Sequence, residues 1–183
     1  MSKIRVGIIG VGSCAKSLVE GVQYYNENPD DNIGLMYEDI GGYSVHDIEF
    51  VCGFDIDKRK VNKPLAEALR AKPNCAMDHV SSITTNGESN ASCITDEAIV
   101  YSAPELDGIA PHMKEYPDEV TFVNGAIPAE TFERSVELLQ YHNVDILINY
   151  LPVGSEEASR YWIDVALKSG AVSYTHLTLP TKA

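Results

Sequence analysis

The stretch "VGIIGVGSCAKSL" (residues 6–18) decides the fold of this chain. Its apolar first half predicts a short buried strand, and a helical pattern begins at Ser13. Gly10, Gly12 and Ala15 follow one another with G-x-G-x-x-A spacing. In a parallel strand–helix unit the first glycine permits the tight turn, the second leaves room for a pyrophosphate, and the third small residue keeps helix and strand close. The pattern therefore predicts a nucleotide-binding turn, with an ordinary tight turn as the alternative.

The start of the predicted helix also favours an anionic ligand. The first backbone N–H groups of a helix have no partner within the helix, and the helix dipole adds positive potential there. Such a helix start can bind a phosphate without any basic side chain. We predict that the pyrophosphate is held by the N–H groups of Gly12, Ser13 and Cys14. A nucleotide bound there should also shield the Cys14 thiol from alkylation.

A second strand, "DIEFVCGFDID" (residues 47–57), ends in two carboxylates. A dinucleotide site uses an acid at this position to accept hydrogen bonds from the adenosine ribose. We predict that Asp55 has this role, with Asp57 as the competing candidate and a solvated strand-end carboxylate as the alternative. The negative charge of Asp55 would repel a 2′-phosphate and so favours NAD over NADP. The spacing exceeds the usual distance of about 20 residues, because residues 26–43 form an insertion.

Apolar runs and helical patterns continue to alternate along the chain. "VDILINYLPVGS" (residues 144–155) predicts a buried strand, and "SEEASRYWIDVALKSG" (residues 155–170) predicts a helix capped by Ser155 and ended by Gly170. Strands that are apolar throughout and alternate with helices predict a parallel sheet covered on both faces. The fold class expected is α/β, a Rossmann-type doubly wound parallel sheet.

Two further strand-end loops are candidates for the same site. Ligands of open parallel sheets bind beyond the carboxyl ends of the strands. The loop after the strand predicted within residues 144–155 should therefore face a cofactor, although a plain capped turn is the alternative. It contains Tyr150, Leu151, Pro152 and Ser155. A second loop, "APELDGIAPHM" (residues 103–113), offers Asp107 and Gly108, and its lone His112 is typical of a surface residue.

Composition excludes several classes of function. The chain has 183 residues, 44% of them apolar, and a formal charge of −13. This charge argues against nucleic acid and anionic membrane surfaces as partners, because both attract clustered Lys and Arg. The N-terminal residues do not form a signal peptide, and no run approaches the roughly 18 apolar residues of a membrane helix. Four cysteines show neither a CxxC pair nor metal-ligand spacing. We expect a cytoplasmic protein with reduced thiols and no metal site.

Four stretches together resemble one enzyme family, inositol-1-phosphate synthase in its short prokaryotic form. They are "VGIIGVGSCAKSLVEGVQYY", "GLMYEDIGGYSVHDIEFVCGFDIDKRKVNKPLAEAL", "LDGIAPHM" and "VDILINYLPVGSEEASRYWIDVALKSGA". The resemblance covers most of residues 1–171, including the insertion before the second strand. "YLPVGSEEA" (residues 150–158) is far rarer than the glycine motif. Residues 74–93 resemble the family only loosely.

The resemblance implies a function and a cofactor. The family converts glucose 6-phosphate to inositol 1-phosphate with a tightly held NAD, by oxidation at C5, enolisation, aldol ring closure and reduction of the resulting ketone. It implies Gly10, Gly12, Ser13 and Cys14 at the pyrophosphate and Asp55 at the ribose, with the loops at 107–108 and 150–155 beside the cofactor. The family's catalytic lysines and sugar-phosphate contacts lie in a second domain, which also builds a homotetramer.

The end of the chain is expected to be foreign to this domain. "VSYTHLTLPT" (residues 172–181) corresponds to one translated reading frame of a common transposase library adapter. We therefore expect residues 1–171 to be an incomplete NAD-binding domain and residues 172–183 to be a non-native tail. Without the second domain, the chain should be inactive. The alternatives are another NAD-dependent sugar or amino-acid dehydrogenase, which would accumulate NADH, and a non-catalytic nucleotide-binding protein.

Overall fold

All strands of the sheet run parallel. The computed structural model describes residues 2–89, 91–109, 115–123 and 127–175. The strands are β1 (Ile4–Ile9), β2 (Ile48–Asp55), β3 (Ile94–Ser102), β4 (Ile146–Asn149) and β5 (Val172–Thr175). The helices are α1 (Ser13–Glu27), α2 (Leu65–Ala68), α3 (Phe132–Tyr141) and α4 (Glu156–Ser169), and a 3-10 turn at Val45–Asp47 precedes β2.

The order of the strands places a crevice at the centre of the sheet. They are arranged β3-β2-β1-β4-β5, so the chain builds outward from β1 on one side and returns to β4 on the other. Because β1 and β4 are neighbours whose following loops turn to opposite faces, their carboxyl ends leave space between them. This is the strand order of a doubly wound nucleotide-binding fold, and the predicted fold class is confirmed.

Apolar side chains cover both faces of the sheet. On one face α1 and α2 pack against β1–β3, with Val19, Leu65 and Phe50 fully buried. On the other face α3 and α4 pack against β1, β2 and β4, with Trp162 and Leu147 at its centre. The apolar character of the central strands β1, β2 and β4 follows from this burial on two sides.

The ends of α4 agree with the sequence prediction only in part. Gly170 ends the helix with φ at +91°, a left-handed conformation that glycine adopts without strain. The prediction that the Ser155 side chain caps the start is wrong, because its hydroxyl makes no capping hydrogen bond. The carboxylate of Asp107, from the loop after β3, instead accepts hydrogen bonds from the first turn.

Other segments differ in length from their sequence patterns. The apolar run at residues 98–102 predicts a brief strand, but β3 begins four residues earlier, at Ile94, because it pairs with β2 as far back as Phe50. The stretch "KPLAEALRAKP" (residues 63–73) predicts a short helix bounded by prolines, and the structure forms only the four-residue α2 and adjoining turns there. The insertion between α1 and β2 has no regular structure before the 3-10 turn, and Ile33 and Met36 are largely exposed in it.

Deletion of residues 172–183 tests whether β5 belongs to the core. Residues 176–183 lie outside the described residues, but β5 itself occupies the sheet edge beside β4, with Val172 and Tyr174 mostly exposed. Since exposed positions contribute little to stability, deletion should change the free energy of unfolding by about 1 kcal/mol or less. Urea denaturation measures this change. Leu147→Ala, in the fully buried part of β4, should cost about 2–5 kcal/mol in the same assay. A similar loss on deletion would show that β5 is a genuine core strand.

Candidate functional site

The turn after β1 requires glycine at its first motif position. Gly10 has φ at +79°, and a Cβ atom there would lie 3.1 Å from the carbonyl oxygen of Tyr150. Its N–H donates to the carbonyl of Phe54 at 2.9 Å, and the N–H of Tyr150 donates to the carbonyl of Ile9 at 2.8 Å. These bonds hold the ends of β1, β2 and β4 together. A side chain at Gly10 would therefore separate β1 from β4.

Gly12 has a different reason to be glycine. It is the residue before the first turn of α1, with φ at −103°, and a Cβ atom there would meet nothing within 4 Å. The fold of this chain thus has room for a side chain at Gly12. Gly12 lines the adjoining cavity, and this part of the cavity stays open because glycine has no side chain.

The start of α1 is suited to an anion. Within the part of the chain that the structure describes, no hydrogen bond uses the N–H groups of Gly12, Ser13 or Cys14. The first turn of α1 also contains no acidic residue. Unused N–H groups and the positive end of the helix dipole both favour an anionic ligand such as a phosphate.

A cavity of about 260 Å³ opens between the carboxyl ends of β1, β2 and β4. It brings together nine of the residues predicted from sequence, which are Gly10, Gly12, Ser13, Cys14, Asp55, Gly108, Tyr150, Leu151 and Pro152. The remaining predicted residues, Ala15, Asp107 and Ser155, do not line it. Ala15 is fully buried between α1 and the sheet, which agrees with the packing role of the third motif position. His112 lies outside the described residues.

Most of the cavity wall is apolar. Ile56, Ala103, Pro104 and Phe122 line it on the side of β2 and β3. Tyr150 lines it on the side of β4, and burial raises the pKa of the Tyr150 phenol above its ordinary value. Apolar walls with a few polar groups are typical of a small-molecule site.

Asp55 lies in the cavity wall but is already hydrogen-bonded to the backbone. It is 9% exposed. Its Oδ2 accepts from the N–H of Val11 at 2.8 Å, and its Oδ1 accepts from the N–H of Asp57 at 2.9 Å. A carboxylate has about four acceptor positions, so capacity remains for a ribose hydroxyl. Asp55 therefore combines a loop-holding contact with the position predicted for a ribose acceptor.

The competing acid, Asp57, is directed elsewhere. It is fully buried and does not line the cavity. The guanidinium of Arg59 binds both of its carboxylate oxygens and also donates to the carbonyls of Asp118 and Thr121. Burial acts to raise the pKa of Asp57, but the hydrogen bonds from Arg59 outweigh it and hold the pKa below its usual value. Asp57 thus orients Arg59, which anchors the loop at 118–121.

Asp107 acts on helix α4. Its oxygens accept from the N–H groups of Glu157 at 2.7 Å and Ala158 at 2.8 Å. Burial acts to raise the pKa of this carboxyl, but these hydrogen bonds outweigh it and hold the pKa below its usual value. Asp107 is therefore the cap of α4, supplied by a loop distant in sequence. Its predicted contact with a cofactor stays a prediction.

Removing this cap should destabilise the chain measurably. Asp107→Ala should lower the free energy of unfolding by about 1 kcal/mol, as expected for a lost helix cap. Because the folded-state pKa is depressed, the stabilisation is present above the unfolded pKa of about 4 and is lost as pH falls through the folded value. Urea denaturation at neutral and acidic pH measures both effects. Asp164→Ala, at an exposed position of the same helix, is the matched control. Equal stability of the two variants would contradict the capping role.

Two features of the site are not predicted by the glycine motif. Lys60 lines the cavity with only 6% exposure, and its ammonium group donates to the carbonyl of Val11 at 2.7 Å. Residues 74–84, which have no clear periodicity, lie along α1. The contacts are made by polar side chains of α1, namely Ser13, Lys16, Glu20 and Gln23.

The polar side chains of α1 were the sequence pattern that could have predicted the packing of residues 74–84 on this helix. Lys16, Glu20 and Gln23 recur at helical spacing, and all three are at least 95% buried. Buried polar side chains need hydrogen-bond partners, so a buried polar stripe predicts a polar segment packed on it. Burial itself could not be known from the sequence, because such a stripe reads equally well as a solvated helix face.

Neither metal binding nor membrane insertion has structural support in the described ranges. No group of three or more His, Cys, Asp or Glu side chains among the described residues could hold a metal ion. None of the helices described is long and apolar enough to cross a membrane.

Curated relatives cover nearly the whole chain. The inositol-3-phosphate synthase of Mycolicibacterium smegmatis is 41% identical over 171 residues, and that of Corynebacterium glutamicum is 38% identical over the same length. The inositol-3-phosphate synthase of Mycobacterium tuberculosis is 37% identical. Each match covers 92% of this chain but only 41–42% of the relative. The chain thus spans less than half the length of these relatives.

Solved structures agree on the fold. The crystal structure of Ari2 superposes with a TM-score of 0.71 at 24% identity, covering 97% of this chain and 46% of Ari2. A myo-inositol-1-phosphate synthase-related protein from Thermotoga maritima superposes with a TM-score of 0.61 at 16% identity, covering 98% of this chain and 49% of its own. No family model matches the chain. Over 92% of its length, this chain is therefore similar to inositol-3-phosphate synthases, of which it matches less than half.

Proposed function

We propose that residues 1–171 are the NAD-binding part of an enzyme that converts glucose 6-phosphate to inositol 1-phosphate. The observation that carries the proposal is the cavity at the carboxyl ends of β1 and β4, which joins an unobstructed glycine turn to a strand-end acid. The relatives named above support the synthase over both alternative functions. The name of these relatives has the phosphate at position 3, which the mirror symmetry of myo-inositol relates to position 1.

The described residues fit a dinucleotide. Gly12, Ser13 and Cys14 would hold the pyrophosphate through their unused N–H groups. Asp55 would accept from the adenosine ribose, and apolar residues of the cavity wall would flank the adenine, among them Ile56, Ala103 and Pro104. Tyr150, Leu151 and Pro152 would lie on the side of β4. The site needs no basic side chain at the pyrophosphate, which agrees with the acidic composition of the chain.

The chain's own residues contribute binding and orientation. Bound NAD supplies a hydride acceptor and donor, so that oxidation of the sugar and reduction of the later ketone leave no net redox change. The glycine turn would hold one end of the nucleotide, and the loop after β4 would limit the access of water. None of these residues supplies a base for enolisation. We therefore propose that the 183-residue chain binds NAD but forms no inositol phosphate from glucose 6-phosphate, and product formation by the purified chain would overturn this.

The remaining proposals concern a longer protein that contains this domain and matches the relatives in length. We propose that it acts in the cytoplasm as a homotetramer and that its catalytic lysines lie beyond this domain. Residues 172–183 are proposed to be foreign to it. Activity measured on a clone matching the length of the relatives would test whether the catalytic residues lie beyond this domain.

Protection of Cys14 from alkylation tests the position of NAD. Cys14 and Cys75 are exposed, whereas Cys52 and Cys93 are buried, and burial raises the pKa of each of these two thiols to about 12. Alkylation should therefore modify Cys14 and Cys75 first. Only Cys14 lines the cavity. Saturating NAD should slow the modification of Cys14 much more than that of Cys75, as followed by peptide mass spectrometry.

A direct binding measurement separates the possible outcomes. Isothermal calorimetry of the same chain with NAD should show saturable binding. Binding without protection of Cys14 would mean that the nucleotide lies elsewhere. No binding at all would overturn the proposed function. For the labelling experiment, the matched control is the Cys75→Ser variant, in which Cys14 is the single exposed thiol.

A further inference from the structure

A lysine and an aspartate hold the same peptide unit of the glycine turn. Asp55 accepts from the N–H of Val11 at 2.8 Å, and Lys60 donates to the carbonyl of Val11 at 2.7 Å. Val11 lies between Gly10 and Gly12 and is fully buried. Its backbone groups are thus fixed on both sides by charged side chains, which form hydrogen bonds about twice as strong as neutral ones. Together they set the conformation of the turn.

The two side chains also compensate each other's charge inside the cavity wall. The Nζ of Lys60 lies 3.7 Å from the Oδ2 of Asp55, and both residues are at least 91% buried. An ammonium group has three N–H donors. Within the described residues only one of them makes a hydrogen bond. Lys60 therefore presents donor capacity and positive charge at the edge of the cavity where the adenosine ribose is proposed to lie.

We propose that Lys60 is both a positioning residue for the glycine turn and a determinant of selectivity between NAD and NADP. The inference rests on the proposed function. Asp55 alone would repel a 2′-phosphate, whereas the adjacent Lys60 reduces that repulsion and can donate to the phosphate. Selectivity for NAD is then set by the balance of this pair rather than by Asp55 alone. The positioning contact with Val11 supports both nucleotides equally.

Lys60→Gln separates the two roles. A glutamine amide can still donate to the carbonyl of Val11, but it carries no charge. NAD binding should stay within about threefold of the original, because the amide still holds the glycine turn and NAD has no 2′-phosphate on which the lost charge could act. NADP binding should fall by about tenfold more, since the 2′-phosphate then faces an uncompensated carboxylate. The measured quantity is the ratio of the two dissociation constants, obtained by calorimetry.

Two comparisons exclude a merely structural role. Lys60→Arg keeps the charge and should restore the original ratio. Lys63→Gln, at an exposed lysine paired with Glu67, should leave the ratio unchanged. If Lys60→Gln weakens NAD and NADP by the same factor, the pair is structural and the selectivity role is wrong.

A second pair of variants keeps the test valid if Lys60→Gln does not fold. Asp55→Asn leaves Lys60 unpaired and should shift the ratio towards NADP by about tenfold. Asp55→Asn with Lys60→Gln removes both buried charges and should return the ratio close to its original value. An equal ratio in the single and double variants would overturn the inference. Failure of the unaltered chain to bind either nucleotide would instead overturn the proposed function, and the inference with it.

Discussion

Gly12→Thr should abolish tight NAD binding by this chain and leave its folding nearly unchanged. Threonine caps helices about as well as glycine, and a Cβ atom at Gly12 meets nothing within 4 Å. The backbone at φ −103° is also acceptable to a β-branched residue. The new side chain would instead occupy the space of the pyrophosphate. Losing two hydrogen bonds to a charged group, at about 1.5 kcal/mol each, weakens binding on the order of 100-fold. Calorimetry and thermal unfolding measure the two properties.

Two other glycines provide the controls for this result. Gly21→Thr adds the same side chain to α1 at a position with open space and outside the cavity, so NAD affinity should not change. Gly10→Ala places a side chain at a positive φ angle and 3.1 Å from the carbonyl of Tyr150, so stability itself should fall by about 1–3 kcal/mol. Unchanged NAD affinity in Gly12→Thr would show that the nucleotide does not approach this turn.

The parts of the fold that were predictable are those encoded in contiguous residues. The apolar run of β1, the glycine spacing and the start of α1 lie within one short stretch, and each signal depends on neighbours in sequence. The same holds for Gly170 at the end of α4. Strand order was predictable indirectly, because the glycine motif belongs to one arrangement of parallel strands. Asp55 and the loop after β4 then followed from the rule that ligands bind at carboxyl ends.

The parts that were not predictable depend on contacts between distant residues. Asp107 caps a helix about fifty positions away, and nothing in its own neighbourhood distinguishes it from a loop acid. Lys60 lies in a charged run, "DKRK" (residues 57–60), where Arg59 is drawn to Asp57 and Lys60 to the glycine turn. Which basic side chain reaches the cavity depends on how the backbone folds after β2. The local sequence pattern therefore does not predict which of these basic side chains lines the cavity.

Asp55→Ala should weaken NAD binding and reduce the preference for NAD over NADP. Asp55 lies in the cavity wall and retains acceptor capacity beyond its bonds to the N–H groups of Val11 and Asp57. Losing the ribose hydrogen bonds to a charged acceptor should cost on the order of 1–3 kcal/mol. NADP should lose less, because removal of the carboxylate also removes its repulsion of the 2′-phosphate. Dissociation constants for both nucleotides provide the measurement.

Asp57→Asn is the control that makes this result specific to Asp55. Asp57 is fully buried against Arg59 and outside the cavity wall, so its replacement should lower stability without changing the preference between the nucleotides. Thermal unfolding would detect that loss. If NAD binds equally to the original chain and to Asp55→Ala, the backbone holds the ribose and the strand-end acid serves only the glycine turn. If the preference moves with Asp57→Asn instead, the ribose lies nearer the loop at 118–121 than the cavity geometry indicates.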